Sequence, residues 1–357
     1  MLLDLTASSV ELTRAICDIP SVSGDEAVLA GAIEASMATL AHLEVIRHGN
    51  TIIARTNLGR AQRVVIAGHI DTVPINDNVP VRMVEVDGEP HLWGRGTVDM
   101  KGGVAVQLKL AAELTEPAMD ITWMWYDNEE VAADLNGLGL LAADRPDLFA
   151  ADFAILGEPS DGQVEGGCNG TLRAIVRTRG VRAHSARAWI GENAIHAAAP
   201  ILARLAQYRA REVQVEGLAY RESLSAVRIG GGVAGNVIPD LCEIEVNYRF
   251  APSKTVADAE AHLRGVLEGF EIEITDAVDG ARPGLDAPIA QDFVAAVGAQ
   301  PRPKYGWTDV ARFSALGIPA VNYGPGDPHL AHHDEERVPL AQINAVEDGL
   351  RAWLGAR

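Results

Sequence analysis

The residues with the most chemistry to offer are histidines and acids set in short polar turns. They are His69 and Asp71 in AGHIDTVP, Asp99 in GRGTVDMKGG, Glu129 and Glu130 in YDNEE, Glu158 in LGEPS and His332 in LAHHDEE. Singly, each has an ordinary explanation: an Asp in a turn usually serves the turn, and two adjacent glutamates usually face water. A shared cleft changes that, because several acids delivered to one place repel one another unless cations neutralise them. Metal ions are the natural cations. Imidazole and carboxylate without thiolate suit zinc, with cobalt or manganese able to stand in.

The elements that carry these residues are expected to bring them together. RVVIAGHIDTV (63–73), DITWMWYDNEE (120–130) and DFAILGEPS (152–160) are apolar runs that end in a polar tip, the pattern of buried parallel strands. VAVQLKLAAELTE (104–116) reads as a helix, as do 8–17 and 25–43, the last opening after a cap-like Ser23-Gly24-Asp25. Strands alternating with helices predict an α/β catalytic domain, a mostly parallel sheet flanked by helices whose ligands gather at the strand ends. His69 and the conspicuous acids sit at those ends.

From about residue 171 the pattern changes to alternating strands, TLRAIVRTRG, SLSAVRIGGG, LCEIEVNYRF and EIEITDAV, with helices expected over 192–209 and 255–269. Alternation implies a sheet covered on one face, hence a smaller α+β domain over 171–282. Near Pro283 the chain returns to a helix, a GIPAVNYGPG strand and turn, and a final helix. The first domain is therefore expected to be discontinuous, 1–170 and 283–357.

Composition narrows the function classes. With 357 residues, 48% of them apolar, two cores are affordable. A formal charge of −19 disfavours nucleic acid and anionic membrane as partners. No run of about 18 apolar residues is present, and the opening MLLDLTASSVELTRAICDIPS lacks the basic start and apolar stretch of a secretory signal. Cys17, Cys168 and Cys242 form no close pair, which argues against a disulfide framework and against a thiolate metal site. A cytoplasmic enzyme is expected.

The ordered set HIDTVP, GRGTVDMKGG, NEE, GEPS and a late His-x-x-x-Glu resembles, across essentially the whole chain, the dinuclear-zinc deacylases and exopeptidases. GGCNGTLRA, GVRAHSARAWIGENAIH, VRIGGGVAGNVIPD and KYGWTDVARFSALGIPAVNYGPGDPHLAH look most like the branch that removes succinyl groups from a diamino dicarboxylic acid. The resemblance implies two Zn2+ per subunit, one held by His69, Asp99 and Glu158, the other by Asp99, Glu130 and His332. Co2+ or Mn2+ could substitute. It implies a cis peptide at Asp99-Met100 and Asp71 behind His69 as its orienting partner. Glu129 becomes the general base, taking a proton from the attacking water and passing it to the leaving amine. His332 is preferred to His333 because its spacing to Glu336 matches the motif. His184 of the inserted domain is implied as an oxyanion donor. Asn236, Arg249, Thr308, Gly324 and Gly326 match substrate-binding positions, with Arg173 or Arg187 as further cations for a small anionic N-acyl amino acid. A homodimer formed through the inserted domain is implied as well. The chain departs from the pattern at Asn247, where the family usually has Asp, and over Cys168–Thr171, where many members carry an arginine. Acyl selectivity therefore rests on less than hydrolysis does. An acetyl-group or dipeptide hydrolase, or a catalytically silent scaffold, are the alternatives.

Overall fold

The computed structural model describes residues 1–355, which group into two units. The first comprises Met1–Gly166, Pro283–Arg302 and the chain from Arg312 onward. The second comprises Gly167–Arg282 together with Pro303–Ala311.

In the first unit four strands lie side by side and parallel, in the order Asp120–Tyr126, Arg63–His69, Phe153–Leu156 and Ala320–Asn322. Side chains of the first three are buried along almost their whole length, which is why their sequences are continuously apolar rather than alternating. Antiparallel pairs finish the sheet: the hairpin Glu44–His48 and Thr51–Arg55 joins Asp120–Tyr126, and Glu165–Gly166 joins Ala320–Asn322. The helix Ser9–Cys17 starts with a capping box, in which Ser8 accepts from the Glu11 amide and Glu11 reaches back to the Ser8 amide. The helix expected over 25–43 is shorter, Ala27–Met37, and that over 104–116 begins earlier, Lys101–Glu113. A single apolar core runs through both, with Ile33, Val104, Leu108, Trp123, Ile155, Phe293 and Trp353 buried in it.

The Lys101–Glu113 helix and the strand exit at Gly324 both approach the Gly157 backbone closely. A Cβ on Gly103 would lie 2.2 Å from the Gly157 carbonyl oxygen, and one on Gly324 would lie 2.2 Å from the same atom. Only glycine lets the helix and the Ala320–Asn322 strand exit close onto the backbone that leads to Glu158.

The second unit has one antiparallel sheet, ordered Ser223–Gly231, Leu241–Phe250, Gly170–Arg179 and Glu271–Val278. One face, with Leu172, Ala174, Val176, Ile244, Val246 and Tyr248, is buried with Ile201, Leu205, Ala259 and Leu263 of the helices Ala199–Gln207 and Val256–Val266. The single helix expected over 192–209 is broken into Ala194–Ala197 and Ala199–Gln207, because Pro200 cannot donate to a continuing ladder. Residues 303–311, expected with the catalytic part, associate with the second unit: the Asn169 amide donates to the Lys304 carbonyl and the Trp307 indole to the Asp279 carbonyl. Among the described residues no helix is long and apolar enough to cross a membrane.

The glycine contact is testable. Gly103→Ala should cost about 1–3 kcal/mol in denaturant unfolding, the usual range for overpacking, because the nearest atom is backbone rather than a flexible side chain. Unchanged stability would show that the helix can shift freely.

Candidate metal centre

The first unit brings seven of the expected residues into one nest. Asp71 is fully buried at its hub. Its Oδ1 accepts the Glu129 amide at 3.0 Å, its Oδ2 accepts the Glu130 amide at 3.1 Å, and the Ser23 hydroxyl donates to Oδ2 at 2.7 Å. Asn128, in the left-handed region at φ 58°, makes the turn that aims both amides at one carboxylate. Asparagine tolerates that conformation better than most residues.

His69 Nδ1 lies 3.1 Å from the Asp71 carbonyl and 3.4 Å from its Oδ1. A proton on Nδ1 is thereby satisfied, and the lone pair of Nε2 is turned the other way. In that direction Nε2 meets Asp99 Oδ1 at 3.1 Å and Glu158 Oε1 at 4.0 Å. The other oxygen of Asp99, Oδ2, is 3.3 Å from His332 Nε2, which in turn is 2.9 Å from Glu130 Oε2. Asp99 thus presents one oxygen to each imidazole. His69, Asp99 and Glu158 offer donor atoms within 4.8 Å of one another, and so do Asp99, Glu130 and His332; His69, Glu129 and Glu130 form a third such group.

The electrostatics match the crowding. Burial would lower the His69 pKa, but hydrogen bonds to Asp71 and Asp99, with the charge of Glu158, hold it well above its ordinary value. His332 is pushed up to about 10 by Asp99 and Glu130. Burial would raise the pKa of Asp99, yet the two imidazoles hold it well below the carboxylate range. Asp99 is thus stabilised by the positive charges on either side of it. That donor set, two imidazoles and three carboxylates with no thiolate, fits two divalent cations that share Asp99.

His333 takes no part: its Nδ1 accepts the Glu335 amide at 3.1 Å. His332, at φ 64°, holds a backbone conformation uncommon for a residue without a special local bond, as is frequent where a side chain must be aimed. The Asp99-Met100 peptide is cis, as the resemblance implied.

The remaining expected residues divide. His184, Asn236, Arg249 and Thr308 belong to the second unit. His184 is exposed, its Nδ1 accepts the Ala186 amide at 3.0 Å, and it pairs with Val237 next to Asn236, whose carbonyl accepts the Ser185 amide. Nδ1 as acceptor places the ring proton on Nε2. Arg249 is half-buried, opposite Thr171 and Ser223, while Thr308 is buried with its carbonyl 3.7 Å from the Cys168 thiol. At Gly324 and Gly326 the amides donate within the protein, to Ser160 Oγ at 3.1 Å and to Gln342 Oε1 at 2.8 Å. Ser23 escaped the sequence reading, because nothing in SVSGDE separates a hub contact from a helix cap.

A strand-end nest of acids and imidazoles on an α/β sheet is the architecture of a dinuclear metal hydrolase, and the comparisons agree. The model of peptidase family M20/M25/M40 matches residues 65–356. A Mycobacterium tuberculosis protein provisionally named as a succinyl-diaminopimelate desuccinylase is 54% identical over 99% of this chain and 100% of its own. The succinyl-diaminopimelate desuccinylase of Corynebacterium glutamicum is 47% identical over 99% of this chain and 97% of its own. In fold, a Staphylococcus aureus tripeptidase superposes with a TM-score of 0.78 at 20% identity, covering 97% and 96% of the two chains. A Bacillus subtilis dinuclear metal-binding peptidase of the M20 family gives 0.70 at 17% identity over 97% and 96%. The chain belongs to the M20/M25/M40 peptidase family and is a metal-dependent hydrolase.

Asp71→Asn tests the hub. An amide can accept at only one end, so either the Glu129 or the Glu130 amide, or the His69 proton, must face a donor. Metal affinity or turnover should fall about 10- to 100-fold, the usual effect of losing a ligand's orienting partner. A variant with parent-like metal affinity and rate would show that His69 needs no such partner.

Proposed function

We propose that the enzyme hydrolyses N-succinyl-LL-2,6-diaminopimelate to succinate and LL-2,6-diaminopimelate, and works in the cytoplasm as a homodimer. The observation that carries the reading is the nest itself. Five ligating side chains converge with Glu129 beside them, in a chain about half identical to two relatives bearing that name over their whole length.

In this reading His69, Asp99 and Glu158 hold one metal and Asp99, Glu130 and His332 the other. Zinc is the metal the donors suit best. When bound, the pair supplies Lewis acidity, polarising the scissile carbonyl and acidifying water. The chain's own residues do the rest. Glu129, whose main chain is fixed by Asp71, takes the proton of the attacking water and delivers it to the departing amine nitrogen. His184, protonated on Nε2, donates to the oxygen that gains charge as the amide carbon becomes tetrahedral. Asn236 and Thr308 supply polar contacts to the substrate.

The substrate's carboxylates are matched by Arg249 and Arg173. Among the described residues neither makes an ion pair, whereas Arg177, Arg179 and Arg228 of the same sheet all do. Burial, aided by the charge of Arg173 and partly offset by Asp276, lowers the pKa of Arg249, so two like charges stand near each other where an anion would be favoured. That supports an acyl group ending in a carboxylate. The dimer is supported by the edge strand Ser223–Gly231, where Val227 and Ile229 are 59% and 49% exposed, with Ile195 and Leu202 also exposed. Such an edge invites pairing with its own copy. The cytoplasm is supported by Cys17, Cys168 and Cys242, all free thiols.

Two experiments test this. In an assay of amine release with added zinc, kcat/KM for succinyl-diaminopimelate should exceed that for acetylornithine by at least about 10²-fold, since an unmatched charged site rejects the analogue. Acetylornithine as the better substrate would reassign the enzyme. Separately, inactive Glu129→Gln chains mixed with inactive His184→Ala chains should regain activity if His184 serves the site of the partner subunit. A verified mixed dimer without activity would place His184 in its own chain's chemistry or in none.

A further inference from the structure

Asp99 bears the heaviest duty in the nest, yet it lies on no strand or helix. The segment Gly94–Met100 that carries it is irregular, as is the segment that carries His332. What holds these two loops in register is a buried ion pair behind them. Glu336 has no solvent exposure. Its Oε1 accepts the amides of Val98 at 2.9 Å and Asp99 at 3.0 Å, and its Oε2 accepts Arg95 Nη1 at 3.0 Å. The same Arg95 nitrogen donates to the His333 carbonyl at 3.3 Å, and the Gly94 amide donates to the Glu336 carbonyl at 2.9 Å. One carboxylate therefore grips the main chain of Asp99, and its guanidinium partner grips the main chain beside His332.

Stability alone does not account for such a pair. Taking both ions out of water costs several kcal/mol each, and apolar side chains of similar volume are often as stable or more so. What apolar side chains cannot do is accept two successive amides and so fix the rotation of the Asp99 backbone, on which the direction of each carboxylate oxygen depends.

We propose that Glu336 and Arg95 are the positioning pair of the metal centre, setting the separation of Asp99 from His332. The inference rests on the metal reading above. It concerns residues that touch neither substrate nor metal.

The test is Co2+ titration of metal-free protein followed by visible absorption, comparing the parent with Arg95→Met/Glu336→Met. The double replacement keeps the volume and removes both charges, so it should fold. Its Co2+ affinity should drop at least about tenfold with an altered spectrum, the scale seen when a ligand's supporting partner is lost. Glu222→Met/Lys254→Met removes an ion pair of the second unit whose carboxylate is likewise buried and should leave Co2+ affinity unchanged. Parent-like affinity in the first double variant, or an equal loss in the second, would overturn the inference. Should the first not fold, Glu336→Gln decides. Its one amide oxygen cannot serve the two amides and Arg95 together, so a tenfold loss is again expected and parent-like binding refutes it. A parent that binds no Co2+ would overturn the metal reading itself, and the positioning role with it.

Discussion

Asp99, Glu130 and Glu158, with Glu129 alongside, are negative charges delivered to one small volume, and everything around them follows from that repulsion. Two carboxylates about 4–5 Å apart repel by roughly 3–4 kcal/mol at an effective dielectric constant near 20. The nest collects several such pairs. The protein answers with imidazoles that bridge the acids, with amides aimed at Asp71 and with a donor geometry suited to divalent cations. It also answers with rigidity. Glu129, Glu130 and Glu158 follow the ends of strands buried on both faces, and glycines at 103 and 324 let neighbouring backbone close to contact behind Glu158. A looser scaffold would let the carboxylates spread apart.

That same repulsion made the site legible. Three apolar runs each ending in acids or His69 are costly unless a ligand needs them, so His69, Asp71, Glu129, Glu130 and Glu158 stood out before any fold was known, while Asp99, in a glycine-rich turn, stood out through the ordered motif set. The central parallel strands were legible for a related reason, since strands buried on both faces have nothing polar to alternate with. Elsewhere the signals were local and ambiguous. The hairpins Glu44–Arg55 and Glu212–Arg221 were not anticipated, because short strands half-open to water differ little from loops in composition. The break after Ala197 was overlooked because Ala198-Ala199 favours helix even where Pro200 interrupts the ladder. Ser23 and Arg95 donate to carboxylates and a carbonyl far off in sequence, and Glu336 accepts distant main-chain amides, partners that only the fold brings within reach.

The two units carry different parts of the chemistry. The metal nest is built wholly from the first. The second unit holds Arg173 and Arg249, which the proposed reading assigns to the substrate, with Asp276 facing Arg173 from the neighbouring strand. Asn247 bears on the same balance: an uncharged amide faces Arg173 from one neighbouring strand, where an aspartate would have added a second acid to Asp276 on the other.

The central claim is that Glu129 moves protons while its neighbour Glu130 holds metal. Metal stoichiometry measured by elemental analysis, beside single-turnover rates, separates the two roles in one pair of variants. Glu129→Gln should retain two metals per chain and lose turnover by at least 10²- to 10⁴-fold, the range for a placed general base. Glu130→Gln should lose metal first and activity with it. A Glu129→Gln protein that is fully loaded and still turns over near the parent rate would contradict the account.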